Sequence, residues 1–164
     1  MGGYPLKTEF PPLLQEGFYP VSLTQLRVRC VDCFASSATR RRIMEGLEAL
    51  ILKLSAAEIT GEVWVNGSFS TQKIDPEDAD ILVRVSSGIY DFDVAKRATV
   101  DWATHRDRWS DHTCDAYKWV EYQKGHPLFS LSEEDRRYWS DWFGKSRCGI
   151  PKGIFVIELP VAMP

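Results

Sequence analysis

The sequence predicts an α+β domain, a small mixed β-sheet flanked by helices. Three observations carry that expectation. From about Ala38 to Ser55, apolar residues recur at helical spacing and give one greasy face. Several short stretches rich in Val, Ile and Trp read as strands. These segments interleave as helix, strand, strand, helix, strand, helix, strand, the signature of a layered domain.

Residues 1–21 hold Pro5, Pro11, Pro12 and Pro20, which exclude a long helix or a central strand. They are expected to form an extended arm on the surface of a single domain over residues 22–164. Ser22 is placed to cap a short helix through SLTQLRVRCVDCF. Ser36 and Ser37 precede the stronger helix, whose face is Ile43, Leu47, Leu50, Ile51 and Leu54. GEVWV follows as a strand and stops at Asn66-Gly67-Ser68, and ADILVRV reads as a second strand. Asp91 to about Arg106 reads as helix, with Val94, Ala98 and Trp102 on one side. TCDAYKWVEY is a third strand, SEEDRRYWSDWFG a Trp-rich helix and KGIFVIEL a final strand. No repeat, low-complexity tract or long linker divides the chain.

Composition narrows the function. The 164 residues are 44% hydrophobic and 26% charged, enough for one core. A net charge of −3 offers no overall basic field to attract nucleic acid. The run Arg40-Arg41-Arg42 reads as a solvated helix face. No stretch approaches the roughly 18 apolar residues of a membrane span. The first residues lack the layout of a signal peptide, and Met1-Gly2 lacks the Ser or Thr of a myristoylation signal. A cytoplasmic protein is expected. Cys30 and Cys33 form a C-x-x-C, but no second pair follows, so reduced, mostly buried thiols explain the four cysteines better than a metal. His105, His112 and His126 show no ligand spacing and read as surface or core-edge residues.

The informative stretch is WVNGSFSTQKIDPEDADILV. Gly67 lets the backbone approach a ligand closely, and the following N–H groups with the Ser68 hydroxyl can cradle phosphate oxygens. Asp78 and Asp80 lie two apart at the start of a strand, so they project from one face. Such a pair repels itself unless neutralised, and a divalent cation with a taste for oxygen, Mg²⁺, would do so. Asp115 would join them if its strand neighbours the Asp80 strand. Three carboxylates beside a phosphate cradle suit two-metal phosphoryl or nucleotidyl transfer.

On these residues the chain resembles the polymerase-β nucleotidyltransferase superfamily: Gly-Ser after a strand, then Asp-x-Asp opening the next strand, then a later strand Asp. It looks like a minimal member, and the likeness covers roughly residues 38–122. It is also similar to uncharacterised bacterial proteins sharing a GSFxTxK-x-x-P-x-D-x-D block and a C-terminal KGI strand. Here these read GSFSTQKIDPEDAD and Lys152-Gly153-Ile154. The resemblance implies a nucleotidyltransferase-like fold in which Gly67 and Ser68 contact the triphosphate. Asp78, Asp80 and Asp115 would bind the metals, and Asp115 would help activate an attacking hydroxyl. It also implies a protein acceptor, as for minimal nucleotidyltransferases that modify a toxin or act in phage defence.

Plainer readings stand beside each residue. Asp75, Asp78 and Asp80 could be turn and cap residues of an ordinary loop. Lys73 could reach a phosphate or be a loop lysine, and Arg84 could face the site or pair with Asp80. Trp139 and Trp142 read as helix packing rather than stacking platforms. At the level of function, the alternatives are a catalytically inactive nucleotide- or protein-binding module, or a nucleic-acid binder using Arg40 to Arg42 and the aromatic tail.

Overall fold

The structure, a computed structural model, describes residues 8–105, 107 and 113–162. His112, the expected helix end at Arg106 and the first seven residues lie outside the described residues. Five strands, β1 (Gly17–Pro20), β2 (Gly61–Asn66), β3 (Ala79–Ser86), β4 (Cys114–Glu121) and β5 (Gly153–Leu159), form one mixed sheet. Their order is β1-β5-β2-β3-β4. The β1–β5 and β3–β4 pairs are parallel, and β2 runs antiparallel to both β3 and β5. The helices are α1 (Leu23–Cys30), α2 (Arg40–Ala56), α3 (Ser87–Phe92), α4 (Val94–Ala103) and α5 (Phe129–Phe143). The fold is thus α+β with a five-stranded mixed sheet.

Strand alternation separates two cores. Val63 and Val65 of β2, Ile81, Val83 and Val85 of β3, and Phe155 and Ile157 of β5 point to one face. There α2 lays down Ile43, Met44, Leu47, Leu50, Ile51 and Leu54, all fully buried. Each such side chain contributes about 1.5–3 kcal/mol of hydrophobic burial. The opposite face is smaller and aromatic: Trp64, Leu82, Trp119, Ile154 and Val156, closed by Phe143 and Trp139 of α5.

Several local expectations are modified. The arm is partly built into the sheet: Gly17–Pro20 forms an edge strand on β5, where Pro20 ends the pairing. The expected helix from Asp91 is two helices, because the Asp93 carboxylate caps α4 by accepting from the Lys96 N–H at 2.9 Å. Its buried residues are Val100 and Ala103, while Val94 stays 72% exposed. Ser22 caps α1 as expected, with Gln25 completing a reciprocal capping box. Cys30 ends α1 rather than lying mid-helix; Cys30 and Cys114 are buried, while Cys33 and Cys148 are exposed. No helix among the described residues is long and apolar enough to cross a membrane.

The largest correction concerns the arginine run. Arg41 and Arg42 are exposed, but Arg40 is fully buried. Its Nη1 donates to the Cys30 and Phe69 carbonyls at 2.9 and 2.7 Å. Nη2 donates to Thr71 and Lys73 at 2.7 and 2.6 Å, and Nε is shared between Lys73 and Ile74. The guanidinium also covers the Phe34 ring at 3.7 Å. A planar fork of donors is suited to a loop that turns its carbonyls inward. That loop connects Gly67-Ser68 to Asp78.

Candidate functional site

The aspartates gather where β2 ends and β3 and β4 begin. Asp80 lies directly across from Asn66 on β2 and from Asp115 on β4. By strand alternation Asn66, Asp80 and Asp115 share the face of Trp64, Leu82 and Tyr117, so they sit at the rim of the aromatic core. The expected adjacency of the Asp80 and Asp115 strands is therefore present, and it follows from the parallel β3–β4 pair.

Asp80 is the most perturbed acid of the group. Burial first, and then the negative charges of Asp78 and Asp115, raise its pKa from the ordinary 3.8 to about 6. Lys152 and Arg147 act in the opposite sense. Desolvation, in turn, lowers the pKa of Lys152, whose ammonium is buried with its Nζ 3.4 Å from the Gly67 carbonyl. Asp115 accepts a 2.6 Å hydrogen bond from the Tyr117 hydroxyl. Among the described residues, no group of three or more His, Cys, Asp or Glu side chains makes a ready metal cage. Asp80 feels the charge of both Asp78 and Asp115.

Gly67 is required by Asp80. Its φ is +80°, and a Cβ there would lie 2.3 Å from Asp80 Oδ2. Only a residue without a side chain lets β2 end this close to the carboxylate. The Gly67 N–H donates to the Asn66 side-chain oxygen at 2.9 Å, so it is not aimed at a ligand. Asn66 itself is buried and ties the turn down: its amide donates to the carbonyls of Phe143 and Gly153, and its oxygen accepts from Ser70 at 2.6 Å.

Other residues fall elsewhere. Asp75 accepts from the Ala38 N–H at 2.7 Å and the Ser37 hydroxyl at 3.1 Å, so it serves the N-terminal approach to α2, the cap-like role. Lys73 lies on the loop clamped by Arg40, which takes its carbonyl at 2.6 Å. Arg84 shares a face with Asp80 but pairs with Glu62 and Glu121, at 2.8 and 2.6 Å. His105 and His126 are exposed, and His126 stacks on Tyr122. The cations brought to the aspartates are Lys152 and Arg147. The sequence held one hint of this, Lys152 in the Lys-Gly-Ile block, but no spacing linked it to Gly67. A groove of about 680 Å³ lies away from the aspartates among Leu13, Leu14, Phe34 and Phe155.

A family model matches residues 7–158, nearly the whole chain. The chain belongs to DUF6932, a family of unknown function. The matched residues run from the arm into β5 and include the Gly-Ser and aspartate block. No curated protein and no solved structure matches the chain.

Proposed function

We propose that the chain is a magnesium-dependent nucleotidyltransferase, moving a nucleotidyl group from a nucleoside triphosphate to an acceptor hydroxyl on a protein. One observation carries the reading: Asp80 faces Asp115 across adjacent strands, with its carboxylate packed against Gly67. A buried carboxylate beside two others is costly unless a cation compensates it. Lys152 and Arg147 supply part of that compensation, and a hard divalent ion would supply the rest.

Asp78, Asp80 and Asp115 would hold the metal. Bound magnesium supplies charge neutralisation and in-line alignment of the transferred phosphorus. The chain's own groups do the rest. Ser68, beside Gly67, receives the phosphates. Lys152, held behind Gly67, adds fixed positive charge where negative charge accumulates. Asp115, oriented by the Tyr117 hydroxyl, positions the acceptor hydroxyl or takes its proton. The net charge of −3 favours a protein acceptor over a polyanionic one.

A second reading, a nucleotide-binding module without transfer, draws on the carboxylates not being preassembled as a metal cage. Calorimetric titration of ATP, GTP, CTP and UTP with Mg²⁺ tests the shared premise. The wild type is expected to bind at least one nucleotide in a metal-dependent manner, and the Asp78→Ala, Asp80→Ala double variant to lose it. Absence of binding to all four would refute both readings. Labelled transfer to co-purified protein then separates enzyme from module.

A further inference from the structure

We infer that Trp142 and Tyr138 of α5 form the platform on which the nucleobase of the bound nucleotide stacks, an inference that rests on the nucleotide-binding reading above. Helix α5 buries Phe143 and keeps Trp139 against the aromatic core, as packing requires. Its remaining large aromatics behave differently. Trp142 is 44% exposed and Tyr138 is 59% exposed. Their rings lie near-parallel, 24° apart with centroids 6.4 Å apart, so they present an apolar surface to solvent. Trp142 packs one side against Tyr117, Trp139 and Phe143 and, with Tyr138, leaves its other side uncovered.

Two chains of contact bring that surface to the aspartates. The Trp142 ring meets Tyr117 edge-on at 4.6 Å, and the Tyr117 hydroxyl donates to Asp115. Next in sequence, the Phe143 carbonyl receives the side-chain amide of Asn66, the residue preceding Gly67. The platform is therefore one side chain away from the acidic edge and is braced to the turn that would hold phosphate. A nucleotide spanning both would place its charged end at Gly67 and Ser68 and its flat, neutral end on Trp142. Every base has a π-face, so this contact favours nucleotides over bare polyphosphate without choosing among bases. The lack of an overall basic field argues for one nucleotide rather than a polymer strand.

The test compares Mg²⁺-dependent binding of inorganic tripolyphosphate with that of the best-bound nucleoside triphosphate, by calorimetry on the full chain. Wild type should prefer the nucleotide, and Trp142→Leu should lose about ten-fold in nucleotide affinity while holding tripolyphosphate as before. Unchanged tripolyphosphate binding also shows that the variant folds, and Trp142→Phe should keep most of the nucleotide affinity. Equal losses for both ligands, or no loss for either, would overturn the platform. So would wild type holding both ligands equally well. A wild type that binds tripolyphosphate but shows no Trp142 effect sinks this inference alone. A wild type that binds neither ligand sinks the nucleotide reading and the platform with it. If Trp142→Leu instead dissolves a dimer in sedimentation, the face pairs chains and the platform is refuted.

Discussion

Replacing Arg40 by Met keeps the length of the side chain and removes every donor. The native guanidinium serves five carbonyls, those of Cys30, Phe69, Thr71, Lys73 and Ile74. Each acceptor left unpaired in a buried setting costs about 1–3 kcal/mol, although water can enter where the loop is partly open. Against that, burying a charge is itself unfavourable, and desolvation lowers the Arg40 pKa. Balancing these, Arg40→Met should destabilise the protein by about 3–5 kcal/mol, a large part of a typical domain's stability. Urea unfolding followed by tryptophan fluorescence measures the change, with the slope showing whether the native state has loosened. Hydrogen exchange should accelerate first in residues 67–78, the loop that the guanidinium holds. Arg41→Ser and Arg42→Ser serve as controls and should each fall within about 0.5 kcal/mol of wild type. A loss below about 1 kcal/mol for Arg40→Met would refute the view that this side chain organises the loop.

Gly67→Ala should cost about 1–3 kcal/mol, because the new Cβ meets Asp80 and the backbone keeps a positive φ; a neutral effect in thermal unfolding would show that the turn relaxes freely. Two thiols, Cys33 and Cys148, should react with a disulfide reagent in the native protein, and the other two only after unfolding. Burial pushes the Cys30 thiol up to about 12 and raises that of Cys114, so neither offers a thiolate at neutral pH. Rapid labelling of all four in the native state would contradict the packing around α1 and β4.

The sequence disclosed what is local. The spacing of Ile43, Leu47, Leu50, Ile51 and Leu54 gave α2, since a long apolar stripe has one helical solution. Asn66-Gly67-Ser68 marked the end of β2, and the Asp80–Asp115 adjacency needed only the parallel pairing of their strands. What escaped is non-local. Strand β1 is four residues long and pairs with residues near the other end of the chain, Gly17 with Gly153. Arg40 looks like Arg41 and Arg42 in sequence, and only the inward carbonyls of a distant loop distinguish it. Lys152 stands behind Gly67 because β5 pairs with β2, a relation that no spacing along the chain encodes. The break at Asp93 was readable as an Asp cap, but continuous helical composition masked it.

On the proposed function, Asp80 sits where a ligand's charge, rather than the fold, needs a carboxylate. Its folded pKa of about 6 lies above the ordinary 3.8, so the folded state holds the proton more tightly than the unfolded chain. Without metal, stability from this group is therefore full below about pH 4 and is lost as pH rises through about 6. A shift of that size corresponds to at most about 3 kcal/mol, and about 1–3 after allowance for the solvent Asp80 retains. The decisive measurement is thermal unfolding of wild type and Asp80→Asn at pH 8, first without metal and then with Mg²⁺ and nucleotide. Asp80→Asn should melt higher than wild type in the metal-free protein but gain nothing further from Mg²⁺ and nucleotide, whereas wild type should be stabilised by them. If Asp80→Asn melts lower without metal, or keeps the ligand-induced rise, Asp80 is a structural residue and the site lies elsewhere.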